Sequence, residues 1–332
     1  MSRVKWILPT SIFIFPFGMT SVCVADELKN IGKNYYEELL ASAVILSDSD
    51  LISLGIKSFD PNEVFKSEDE NLGAQSALDA RKKISVYNLP IHFEIAGAHP
   101  DFQHDITLKF SYFSYSENIN LIENAPSDRF KQEVFSTYLS YTLEYSITER
   151  WKLAYGVGSY LMYADNDYRF RSAESQQIQP QLDRSFSNMS IWSTSIEPYV
   201  EFHYNVDTGW GRWALMSQWH YFSGVNWDKI TEGSYGTPEG WRVSNGVQVE
   251  YDLANFEQFK PALYSSLKRI DIGHDATSIL QTNSYYEAGI GITWANVIDW
   301  DFIDTVGVGI NFNYGSSLRG GSLLFYINPF NG

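Results

Sequence analysis

The sequence predicts an all-β fold: a transmembrane, up-and-down antiparallel β-barrel of twelve strands with a short N-terminal helix. Three observations predict it. The first is alternation sustained over unusually long runs. Phe135, Thr137, Leu139, Tyr141, Leu143, Tyr145 and Ile147 share one face. Ser136, Tyr138, Ser140, Thr142, Glu144 and Ser146 share the other. After Thr148-Glu149-Arg150 the pattern resumes with Trp151, Leu153, Tyr155, Val157, Leu161 and Tyr163 against Lys152, Ala154, Gly156 and Gly158. Period two marks a strand between two different environments, and two such strands on a tight connection make a hairpin. Strands of water-soluble sheets are usually about five or six residues long, and these are more than twice that. The second observation is composition: 16% of the residues are aromatic, while mean hydropathy is −0.24. That excludes a helical membrane protein and suits a barrel with a polar lumen. The third is that short and long connections alternate, as periplasmic turns and extracellular loops do.

Taken in order, the strands begin with Leu51 to Phe59, a short candidate. Asp60 to Lys83 is charged and without clear period, so it reads as a loop. From Ile84 the strands become regular. Leu89, Ile91, Phe93 and Ile95 form one face, and Ile106, Leu108, Phe110 and Tyr112 the next. The opening hairpin follows. Trp192 to Tyr204, Trp213 to Tyr221 and Val243 to Leu253 continue the array. Ala262 to Ile272 is the least regular, because Leu263 and Leu267 fall opposite Tyr264, Ile270 and Ile272. Ile290 to Trp294, Val306 to Tyr314 and Leu323 to Ile327 complete it. Eleven strands are visible from Ile84. Bacterial barrels have an even number, so parity assigns the twelfth to Leu51–Phe59. Short connections fall near 98–103, 148–150, 207–210, 254–258 and 296–301. Long ones fall near 118–133, 165–188, 226–239 and 274–283.

Residues 1–25 read as a signal peptide. Arg3 and Lys5 open it, Trp6 to Phe17 is the apolar core, and cleavage is expected after Ala25. The one cysteine, Cys23, lies inside it, which excludes a disulfide-built domain and Cys-ligated metal sites in the mature chain. No small residue precedes Cys23 in Thr20-Ser21-Val22-Cys23, against a lipid anchor. The net charge of −16 argues against nucleic acid as a partner.

Residues 26–47 form the expected helical segment. Leu28, Ile31, Tyr35, Leu39, Ser42 and Leu46 recur at spacings of three and four, and Asp26 and Glu27 suit a helix N-terminus. Two readings are open: a short periplasmic helix or frayed tail, and a plug in or against the periplasmic mouth that limits conductance. The barrel domain takes 48–330.

With the strand array in place, the chain resembles the solitary outer-membrane autotransporter-like β-barrels. The resemblance runs from about Leu39 to Phe330. It rests on the signal peptide, the short N-terminal stretch, the strand array and the final Leu-Phe-Tyr-Ile-Asn-Pro-Phe. It implies a twelve-stranded barrel shaped like an autotransporter translocator with no passenger, located in the bacterial outer membrane. One departure is that Asn331-Gly332 follow Phe330, where related barrels end on an aromatic residue, and Pro329 interrupts the last strand.

The lumen-facing candidates are Glu197, His203, His220, Arg212, Arg242, Glu250, Asp252 and Glu287. Counting from the 207–210 turn puts Glu197 roughly opposite His220, as a cross-strand pair. Mixed signs suit a lumen knitted by ion pairs or a modest hydrophilic pore. Ser244-Asn245-Gly246 resembles part of the outer-membrane phospholipase signature, but Arg242 stands where that signature has histidine, and a serine without a base is not activated. The expectation is no enzyme, no cofactor and no metal. The role expected is a passive pore or envelope structural protein, with a selective solute channel, or an enzyme with a lumen-facing site, as alternatives. The partners expected are outer-membrane lipid and the barrel-assembly machinery, for a monomer.

Overall fold

A computed structural model gives the architecture. It describes residues 21–47, 52–54, 84–96, 99, 101–119, 126–183, 187–227, 236–253, 260–280, 282–300, 303–315 and 319–327. Residues 1–20 of the expected signal peptide, the stretch 60–83 expected as a loop, and Pro329 to Gly332 lie outside the described residues.

A helix, α1 (Ser21–Leu46), precedes the strands. It begins before the expected position 26. The strands are β1 (Ile52–Leu54), β2 (Ile84–Ala96), β3 (Phe102–Ile119), β4 (Asp128–Ser146), β5 (Trp151–Arg169), β6 (Ser190–Thr208), β7 (Gly211–Asn226), β8 (Glu239–Asp252), β9 (Lys260–His274), β10 (Ser284–Trp300), β11 (Ile303–Gly315) and β12 (Arg319–Ile327). Two short helices, α2 (Ala173–Leu182) and α3 (Ala276–Leu280), sit in the β5–β6 and β9–β10 connections. Each strand pairs antiparallel with its sequence neighbours, and β1 lies between β12 and β2, closing the barrel. Ser53 faces Leu324 on one side and Asn88 on the other. The twelfth strand owed by parity is therefore present as Ile52–Leu54. The rest of the expected 51–59 stretch lies outside the described residues.

Alternation decides the two faces. In β4, Leu139 is 55% exposed and its neighbour Ser140 only 4%. Aromatic pairs edge the outer face. Trp151 and Tyr204 lie 4.7 Å apart toward the short turns, and Tyr163 and Trp192 5.0 Å apart toward the long loops. β4 enters the two girdles at Phe135, whose ring lies tilted against Tyr112, and at Tyr145, which stacks on Phe102. Their separation is roughly 33 Å along the strand and, at a tilt of ~40°, about 25 Å along the barrel axis, the height of an outer-membrane apolar band.

The strands run beyond this band. β3 continues to Ile119, β4 starts at Asp128 and β5 extends to Arg169, where loops were expected at 118–133 and 165–188. The pattern there is polar on the outward side, which hides a strand from a hydrophobic period although the ladder continues. The irregular strand also has a physical reason. On β9, Leu263 and Leu267 point outward, while Tyr264, Ile270 and Ile272 are buried inward. Ile270 and Ile272 belong to the buried apolar cluster that also holds Leu39, Leu40, Val44 and Ile45 of α1, so the inner face is apolar where that cluster sits.

The membrane assignment of the outer face is testable at Leu139. Leu139→Arg should cost roughly 2–4 kcal/mol near the midplane, whereas Ser140→Thr on the inner face should be mild. Folding titrations into lipid vesicles measure both, and equal small effects would contradict the assignment.

Candidate functional site

The lumen is filled at two levels. At the long-loop end it is closed by α1. The run Leu39-Leu40-Ala41-Ser42-Ala43-Val44-Ile45 is apolar or small throughout, and every member is buried. A helix apolar on all sides belongs in a protein interior, not at a surface. The buried cluster it joins draws residues from around the barrel: Val86 of β2, Val134 of β4, Met162 of β5, Ile191 of β6, Phe222 of β7 and Ile272 of β9, with Ala276 and Leu280 of α3. Polar contacts fix the seat. Asn166 donates through Nδ2 to the Tyr36 hydroxyl at 2.8 Å, and Tyr35 donates to Gln132 at 3.4 Å. Glu37 accepts the Thr237 backbone N–H at 2.6 Å. Asn88 donates to the Leu46 carbonyl at 3.3 Å, satisfying one of the acceptors a helix leaves open at its C-terminus.

These contacts correct the expected position of the plug. Asn166, Thr237, Ala276 and Val86 all lie toward the long connections, not the short turns. The helix sits in the long-loop end of the lumen, the end expected to be extracellular, rather than at the short-turn end expected to be periplasmic. The six-position apolar stripe suggested a one-sided helix. The unbroken run at 39–46 was the better signal.

The second level is a polar layer deeper in the lumen. Arg242 of β8 forms a forked pair with Glu197 of β6, with Nη1 2.7 Å from Oε2 and Nη2 3.2 Å from Oε1. Tyr138 of β4 donates to the same carboxylate at 3.1 Å. His220 of β7 places Nδ1 3.2 Å from Glu197 and Nε2 3.4 Å from Glu201. His203 meets Glu201 at 3.0 Å. Directly opposite His220 in register stands Tyr199, whose ring stacks on it at 4.9 Å. Glu197 is diagonal to His220, and the expected cross-strand pair forms from that position. The β6–β7 register runs to Ile196↔Ser223 and resumes at Tyr199↔His220; Pro198, between them, has no N–H for the ladder.

Two glycines make room for this layer. Gly156 and Gly158 of β5 face inward. A Cβ on Gly158 would collide with the Tyr138 ring, and one on Gly156 with the Tyr199 ring. The tyrosines of β4 and β6 thus fold across the bare backbone of β5, and Tyr138 also stacks on Tyr160 at 4.4 Å. Glu197 is 0% exposed and Arg242 2%, so water does not reach the pair.

The remaining candidates form separate pairs. Arg212 meets Glu250 at 3.0 Å. Glu287 faces inward in register with Lys268, and Asp252 is exposed at the turn end of β8. Sequence reasoning missed Tyr138 as a partner of Glu197, although an aromatic among serines on the polar face was a signal. It also missed the Lys152–Glu144 bridge at 2.7 Å. Ser244 is buried and stands opposite Gln218. The contacts of His220 go to the two glutamates and Arg242. Among the described residues no group of His, Cys, Asp and Glu is arranged to hold a metal ion.

What the layer does physically is tie four strands together with charges that water cannot solvate. Removing one partner strands the other, which costs about 3–5 kcal/mol, whereas replacing both with apolar groups is far milder. Arg242→Met should therefore destabilise the folded barrel by about 3–5 kcal/mol, and adding Glu197→Leu should recover much of it. Urea unfolding in vesicles reads both; additive losses would mean that the pair is solvated.

The family model described as solitary outer membrane autotransporter beta-barrel domain matches residues 37–329. Among solved structures, the translocator domain of autotransporter NalP from Neisseria meningitidis is 11% identical, with a TM-score of 0.46 over 73% of this chain and 79% of that one. The beta domain of the Bordetella autotransporter BrkA is 10% identical, with a TM-score of 0.45 over 74% and 91%. The transport unit of AIDA-I from Escherichia coli is 10% identical, with a TM-score of 0.43 over 73% and 80%. No curated protein matches. The chain belongs to the solitary outer-membrane autotransporter β-barrel family and is a protein of the bacterial outer membrane.

Proposed function

We propose that this protein is an envelope structural barrel whose lumen is shut at rest, and that it conducts solutes passively only when α1 leaves its seat. The observation that carries the reading is the complete burial of α1 from Leu39 to Ile45 inside the long-loop mouth. A twelve-stranded barrel has a lumen wider than the eight-stranded kind that side chains fill. Here a helix supplies the missing volume. The buried Glu197–Arg242 layer beneath it supports the same reading, because an open pore would wet those charges. Closure of the sheet leaves no unpaired edge for a second copy, which supports a monomer.

The seat also carries carboxylates. Glu38 is pushed above the usual carboxylate range, first by burial; a hydrogen bond from Ser278 opposes this, and Asp275 and Glu37 add to it. Asp275 is pushed up in the same way, by burial and then by Glu37 and Glu239, against a backbone hydrogen bond from Glu239 and the nearby His274. Raised pKa values mean that the docked helix binds protons more tightly than the undocked one. Docking is then strengthened as pH falls through the raised values, and weakened as pH rises through them.

Single-channel recording in planar bilayers tests the proposal. The full protein should be almost silent. Deleting 26–47 should leave a folded, heat-modifiable barrel of higher conductance, and Leu40→Asp should raise conductance within the full chain. Openings should become rarer as the pH drops from neutral toward the carboxylate range, and Glu38→Gln should flatten that dependence. A full-length protein that conducts steadily, unchanged by Leu40→Asp, would contradict the closed reading.

A further inference from the structure

The outer face is not uniformly covered. On β4, Thr137 stands in register between Phe110 of β3 and Leu161 of β5. A small side chain between two large ones leaves a trough. Phe135, Tyr163 and Trp192 rise along its long-loop side. The result is a groove of about 530 Å3 on the membrane side of the barrel, almost wholly apolar in lining. It opens just below the outer aromatic girdle, where the acyl chains of the outer leaflet lie.

Beyond the girdle the same strands carry charge. Lys131 and Arg129 of β4 and Arg169 of β5 face outward. Arg129 and Arg169 stand directly opposite each other in register. Like charges in that position repel. Acidic neighbours temper them: Asp167 meets Arg169 at 2.9 Å, Glu133 meets Lys131 at 2.7 Å and also accepts from Tyr112, and Asp165 stands across from Glu133. The outermost row remains the two arginines. A rise of about 3.3 Å per residue puts Lys131 roughly 13 Å and Arg129 roughly 20 Å along the strand from Phe135. That is the reach of an acyl chain and its headgroup. Guanidinium pairs grip phosphate by forked, charge-assisted hydrogen bonds.

We propose that this face binds a phosphorylated, multiply acylated glycolipid of the outer leaflet. One acyl chain lies over Thr137, and a headgroup phosphate lies between Arg129 and Arg169. The inference is independent of whether the lumen opens.

The folded protein in detergent micelles would be titrated with bisphosphorylated lipid A, with the same lipid after dephosphorylation, and with inorganic phosphate, complexes being counted by native mass spectrometry. Lipid A should bind, and the dephosphorylated form should bind at least ~10-fold more weakly. Arg129→Gln with Arg169→Gln should weaken lipid A by a similar factor without changing the dephosphorylated lipid. Thr137→Trp, which fills the trough, should weaken both lipids. Phe110→Ala gives a second readout of the groove if the tryptophan variant does not fold; heat-modifiability identifies which variants fold. Equal binding of the two lipids, or arginine and groove variants that bind like the parent, would overturn the proposal. Displacement of lipid A by millimolar phosphate alone would do so as well, since it would leave the groove with no part in binding.

Discussion

The structure depends on one constraint: in hydrocarbon, a backbone N–H or C=O has no water to turn to. Every strand must therefore pair on both sides, and the sheet must close. Closure is achieved at Ser53, which bridges β2 and β12. Closure also fixes the faces. Once a strand's neighbours are set, each residue points to lipid or to lumen, and a slip of one would reverse them all. Leu139 in lipid and Ser140 in the lumen are consequences of that single choice.

Closing twelve strands creates a second demand, because the enclosed space is too wide for ordinary inward side chains. This chain meets it twice. At the extracellular end it folds its own N-terminal helix into the mouth. Deeper down, it places glycines on β5 and lays tyrosines from β4 and β6 over them, so that rings span what a wall of serines would leave empty. The ion pair of Glu197 and Arg242 belongs to this second device. It is costly to desolvate, and Tyr138 and His220 offset part of that cost by adding contacts to the same carboxylate.

Much of this was legible in the sequence. The period-two runs located the membrane faces, and the alternation of connection lengths gave the barrel its polarity. Parity demanded the strand that Ile52–Leu54 supplies. What escaped had physical causes. The outward polar ends of β3, β4 and β5 lie beyond the membrane, where no apolar face exists to mark a strand. The inward apolar residues Ile270 and Ile272 looked like a broken pattern because the buried cluster they join includes α1, more than two hundred residues earlier in the chain. The end of the lumen that α1 occupies depends on contacts with Asn166 and Thr237, which no local pattern encodes. Of the site, the lumen orientation of Glu197, His203, His220 and Arg242 was readable. That Arg242, His220 and Tyr138 all reach the Glu197 carboxylate was not, because it depends on side chains from four strands meeting across the lumen.

The central claim is that α1 is part of the folded interior and seals the extracellular end. Hydrogen exchange on the protein in lipid bilayers tests it most directly, since buried, hydrogen-bonded amides open only with the structure that protects them. The amides of residues 39–46 should exchange as slowly as those in the middle of β4 and β5. Exchange of that segment within seconds, beside protected strands, would show that the helix is not seated in the lumen and would contradict the account.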